Sequence, residues 1–74
     1  MLEKNVRLSA AKALELASNQ AGIELANMQA IDLIIDPEGL YDISFRDEWI
    51  CYSCYIDYLT GEVRGFFTDP LEIV

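Results

Sequence analysis

From residue 30 to residue 67 the chain is broken by turn signals so short that only antiparallel strands can follow one another. Asp36-Pro37-Glu38-Gly39 has proline second and glycine fourth, the type I preference. Asp47-Glu48 and Thr60-Gly61 are tighter still. Parallel strands need a crossover of about a dozen residues or more, and none of these connections supplies one. The intervening segments have strand character. Residues 30–35, AIDLII, are β-branched and apolar. Residues 40–46, LYDISFR, alternate Tyr41, Ile43 and Phe45 with Asp42, Ser44 and Arg46. Residues 49–58, WICYSCYIDY, form a longer strand, and 62–67, EVRGFF, a short last one, which Asp69-Pro70 ends.

Ahead of the strands, residues 9–21, SAAKALELASNQA, predict a helix. Ser9 is its N-cap, accepting from an otherwise unpaired N–H, and Gly22 takes the left-handed position that ends it. Ala10, Ala13, Leu14, Ala17 and Ala21 form one stripe of mostly small residues, which lets the helix lie close to a sheet. Residues 23–29 read as a connection holding at most one helical turn. The fold expected is α+β: one N-terminal helix packed on one face of a three- to four-stranded antiparallel sheet. Residues 1–8 would be an N-terminal arm and 68–74 a tail, within one domain spanning 1–74.

Apolar residues make up 53% of the chain and charged residues 24%, a globular balance. With 74 residues the core is small, and net stability is expected on the order of 3–5 kcal/mol. There is no histidine, which removes the usual general base, proton shuttle and metal ligand together. An enzyme is therefore not expected, nor a cofactor or metal. The net charge is −8. Residues 13–74 carry twelve acids against only Arg46 and Arg64, a net of −10. Nucleic acid and anionic membrane are poor partners for such a surface, whereas a basic protein is a permitted one. The opening MLEKNVRLSA lacks the apolar run of a signal peptide, and no stretch is long and apolar enough to span a bilayer, so a cytoplasmic location is expected.

The ordered elements AKALELASNQAGI at 11–23, IDLIIDPEGLYDISF at 31–45 and YSCYIDYLTGEVRGF at 52–66 resemble a PepSY domain. Ile56-Asp57 and Thr60-Gly61-Glu62-Val63 match that family's terminal hairpin, although Tyr58 stands where the family commonly has a small residue. The resemblance covers about residues 9–67. It implies a small non-catalytic module that binds or restrains peptidases, with no catalytic residues to carry over. The matched motif also has a structural account. Asp57 and Thr60 cap the turn, Gly61 supplies a positive φ, and Val63 returns into the sheet.

Cys51 and Cys54 form a C-x-x-C pair, but no second pair or histidine completes a zinc site. They fall in a strand, three residues apart, on opposite faces. They are expected to be free structural thiols. The carboxylates Asp32, Asp36, Glu38, Asp42, Asp47 and Glu48 cluster near turns without calcium-loop spacing and read as solvated charges. The helix-facing core is expected to be Ile31, Leu33, Ile35, Tyr41, Ile43, Phe45, Ile50, Tyr52, Cys54 and Ile56. One helix covers one face, leaving Trp49, Tyr55, Ile34 and Phe66 on the open one, where aromatic groups often mark an interface. The function expected is a protein-binding module acting through that open face, on a protein partner or as a homodimer. The alternative is an acidic decoy occupying the basic groove of a nucleic-acid enzyme.

Overall fold

The computed structural model describes residues 7–71; residues 1–6 of the arm and 72–74 of the tail lie outside the described residues. The elements run α1 (Ala10–Ala21), a 3₁₀ turn (Leu25–Asn27), β1 (Gln29–Asp36), β2 (Leu40–Arg46), β3 (Ile50–Asp57) and β4 (Val63–Pro70). The strands form one antiparallel sheet in chain order β1-β2-β3-β4, with α1 packed against β2 and β3. This is the α+β architecture that the alternation and the short turns predict, and the single 3₁₀ turn is all the helix that residues 23–29 contain.

The ends of α1 are capped as their residue types require. The Ser9 hydroxyl accepts from the Lys12 N–H at 3.1 Å. Gly22 takes φ +73°, and its N–H bonds the Ser18 carbonyl at 2.9 Å. Ala13 and Ala17 are fully buried, Leu14 and Ala21 half-buried, and Ala10 exposed. Ala13 and Ala17 put methyl groups at the centre of the contact line, and Leu14 and Leu16 pack against the core on either side of them. Ser18 is also buried, and its hydroxyl donates to the Ile23 carbonyl, fastening the chain as it leaves the helix. Ahead of α1, the Leu8 N–H bonds the Tyr58 carbonyl at 2.7 Å, and the Leu8 carbonyl accepts from the Tyr41 hydroxyl at 2.5 Å.

The core lies between α1 and the two central strands. Ile43, Cys54 and Ile56 are wholly buried, and Tyr41, Phe45, Tyr52 and Met28 nearly so. Phe45 and Tyr52 stack at 5.0 Å. Burying one such isoleucine contributes about 1.5–3 kcal/mol, a large share for a chain of this size. Ile50 and Leu33 pack at the margin.

Four expectations are corrected. Ile31 and Ile35 are each 43% exposed rather than core, because α1 rests on β2 and β3, and of their neighbours in β1 Leu33 is the one that packs against the core. The last strand runs on to Pro70 instead of ending at 67. Leu71 donates its N–H to the Trp49 carbonyl at 2.8 Å; by alternation the position of Pro70 then faces away from β3, where a missing N–H breaks no ladder bond. Trp49 precedes β3 rather than starting it. The Asp47 carboxylate accepts from the N–H groups of Trp49 and Ile50, both at 2.8 Å, and holds Trp49 in the turn.

Phe66, expected on the open face, lies on the helix side. Tyr55 pairs with Gly65 but Ile56 pairs with Val63, so Arg64 is an extra residue in β4. This β-bulge shifts the alternation by one. Val63 and Phe66 therefore both pack against the core, and Phe66 lies 6.1 Å from the Tyr52 ring. Phe66 thus belongs to the helix side of the sheet, and Phe67 takes the open side.

Candidate functional site

The open face is built from registered rows that cross the sheet. Ile34, Asp42, Tyr55 and Gly65 stand opposite one another in one row. Asp32, Ser44, Ser53 and Phe67 form the next. Arg46, Cys51 and Asp69 continue beyond them. Phe67 is 60% exposed and Ile34 55%. The Phe67 ring lies over Gly65, so close that a Cβ there would stand 3.2 Å from it, and it meets Tyr55 edge-on at 6.1 Å. A side chain at residue 65 would push the ring away; its absence makes room for a two-ring ridge on the face.

Around this ridge the polar groups are mostly acidic. Asp32, Asp42 and Asp69 form no ion pair among the described residues. Asp57 is engaged: it accepts from the N–H groups of Leu59 and Thr60 at 2.9 and 3.0 Å and from Arg64 at 3.1 Å. The two backbone donors, then Arg64, hold its carboxyl down to about 2. Gly61 at φ +82° and the Thr60 hydroxyl, which accepts from Glu62 at 3.1 Å, complete this turn. The hairpin motif of the sequence is therefore occupied with shaping a turn.

Trp49 stands apart from the ridge. It is 67% exposed and borders an open groove of about 680 Å³ at the end of the molecule, with Ile23, Glu24, Asn27, Asp47 and Glu48. Asp47 is held below the ordinary carboxylate value by the N–H groups of Trp49 and Ile50 and by the Tyr52 hydroxyl, which donates at 3.1 Å.

Of the four residues the sequence singled out, Ile34 and Tyr55 share a row, Trp49 lies beside the groove, and Phe66 is on the other side of the sheet. Phe67 was missed, since the Arg64 bulge leaves no mark in the alternation of a six-residue segment. Gly65 next to two phenylalanines was the available signal, because a strand glycine marks a bulge or a close approach.

The two cysteines are free and lie on opposite faces, as their spacing predicts. Burial raises the Cys54 thiol to about 11, so it is held protonated and unreactive at neutral pH. Among the described residues no three Cys, Asp or Glu side chains converge as metal ligands would. No helix among them is long and apolar enough to cross a membrane. Comparison with family models, with curated proteins and with solved structures finds no match to this chain.

Proposed function

We propose that the chain is a small non-catalytic protein-binding module whose open sheet face takes a positively charged partner bearing apolar side chains. The observation that carries this reading is the Tyr55–Phe67 ridge, exposed at Phe67 and flanked by Asp32, Asp42 and Asp69, which form no ion pair among the described residues. Exposed aromatic area supplies burial energy, at about 25 cal/mol per Å² removed from water, while the carboxylates select the sign of the partner. Face-to-face pairing of two copies would set these carboxylates against one another, which favours a different protein as occupant. The resemblance to PepSY domains makes a peptidase the first partner to try.

The test is affinity capture with the wild-type chain, Tyr55→Ala and Phe67→Ala, each checked for an unchanged fold by far-UV circular dichroism. The wild type should retain a partner that both variants release. A partner held equally by all three chains refutes the face. The acidic-decoy reading rests on the net −10 of residues 13–74. It is separated by salt, because a purely electrostatic complex dissociates steeply as screening shortens to about 8 Å and is indifferent to Phe67→Ala.

A further inference from the structure

The two edges of the sheet differ. The β4 edge carries the Arg64 bulge, Pro70 and an Arg64 side chain drawn to Asp57 and Glu62, all features that blunt strand addition. The β1 edge has its own bulge, at Ala30 and Ile31, but that lies near the start of the strand and leaves Asp32 to Asp36 in regular register; from Ile31 to Ile35 this edge holds a single charge, Asp32, and exposes Ile31, Ile34 and Ile35 at 43%, 55% and 43%. An apolar edge of this kind is a template for another strand.

The direction of its free backbone groups follows from the turn. The Asp36 carbonyl accepts the Gly39 N–H at 3.0 Å, so Asp36 addresses β2. In an antiparallel ladder the N–H and C=O of one residue point the same way and alternate along the strand. Ile34 and Asp32 therefore also address β2, while Ile35 and Leu33 present their N–H and C=O groups outward; Ile31 lies in the bulge with Ala30, where the regular alternation ends.

We propose that this edge pairs antiparallel with the same edge of a second copy, on a two-fold axis at Leu33, giving one continuous eight-stranded sheet. This goes beyond the proposed function, which uses the face and not the edge. Three features select a second copy. Centring on Leu33 puts this outward-pointing residue opposite Leu33 of the partner subunit, as hydrogen bonding requires, and sets the apolar Ile31 opposite Ile35 of the partner subunit. The Leu33 and Ile35 side chains of both copies then lie on the helix side, Leu33 at the margin of the core and Ile35 exposed beyond it. Asp32 falls opposite Ile34 of the partner subunit. Moving the axis to Asp32 sets that carboxylate against itself, and moving it to Ile34 sets Asp32 against Asp36 of the partner subunit. Like charges directly opposite are destabilising, so the Leu33 register is the one of the three free of such a clash.

The test is mass in solution by light scattering across a concentration series. The wild type should rise from 8.4 kDa towards twice that mass, and do so at lower concentration as salt is added, since each copy carries −8. Ile35→Lys should weaken association at least tenfold, and Phe67→Ala and Trp49→Ala should leave it unchanged. Ile34→Lys brings an ammonium opposite Asp32 of the partner subunit and should tighten association several-fold at low salt. Should Ile35→Lys fail to fold, Ile34→Lys decides, since it lies at a more exposed position. A wild type that stays monomeric overturns the proposal, as does an Ile34→Lys chain that associates more weakly. A dimer lost in Phe67→Ala but kept in Ile35→Lys overturns the edge and moves self-association to the face. Loss of partner capture without any change in mass tests the face alone.

Discussion

Replacing Ala30 by glycine should stabilise this protein, against the usual rule for a strand. Ala30 is the first of two residues, Ala30 and Ile31, that bulge between the Gln29–Arg46 and Asp32–Ser44 pairs. Its φ is +53°, the only positive value at a non-glycine among the described residues. A Cβ in the left-handed region costs roughly 1–2 kcal/mol. Glycine removes that strain but loses more backbone entropy on folding, roughly 0.5–1 kcal/mol. The alanine methyl is exposed, so little burial is lost with it. The balance is a gain of about 0.5–1 kcal/mol, or about 2–8 °C in melting temperature for a domain of this size. Thermal and urea unfolding measure it, at one fixed protein concentration because association raises apparent stability. Ala30→Val is the control: a β-branched residue fits this conformation worse than alanine, and its melting temperature should fall. A chain destabilised by Ala30→Gly, with Ala30→Val neutral or better, would refute the bulge as the source of strain.

Ile43 is wholly buried in a central strand, so Ile43→Ala should cost about 2–5 kcal/mol and leave much of the chain unfolded at 25 °C, whereas Ile43→Val should cost about 1 kcal/mol; denaturant curves decide. Asp57 falls from its ordinary 3.8 to about 2 on folding, so its contribution is full above pH 4 and is lost as pH falls from about 4 towards 2. Asp47 is shifted the same way. The melting temperature should therefore decline over that window, and Asp57→Asn should flatten the decline; an unchanged slope contradicts the assignment. Iodoacetamide at pH 8 should label the half-exposed Cys51 long before the buried Cys54. Mass mapping that finds Cys54 modified first refutes the burial.

The layers of the fold were legible because they rest on local rules. Ser9 and Gly22 delimit α1, the Tyr41–Ile43–Phe45 alternation sets the inner face of β2, and the Asp36–Gly39 and Asp57–Val63 segments contain their own turn chemistry. What was not legible depends on where elements lie relative to one another. The breadth of the sheet beyond a 12-residue helix leaves Ile31 and Ile35 uncovered, and no pattern within β1 foretells which strands the helix will touch. The bulge at Arg64 exchanged Phe66 for Phe67, because a single extra residue inverts every face after it. The open-face site was therefore half read: Ile34 and Tyr55 from alternation, but not the ring that completes their ridge.

The most direct measurement on the account as a whole is amide hydrogen exchange along β1 at low and high protein concentration. Asp32 and Ile34 bond β2 and should be protected equally at both. Leu33 and Ile35 point outward and should exchange freely when dilute, then become protected as a second copy pairs with the edge. Free exchange of Leu33 and Ile35 at every concentration would contradict edge pairing, and protection of the β3–β4 face in its place would move self-association to the Tyr55–Phe67 ridge.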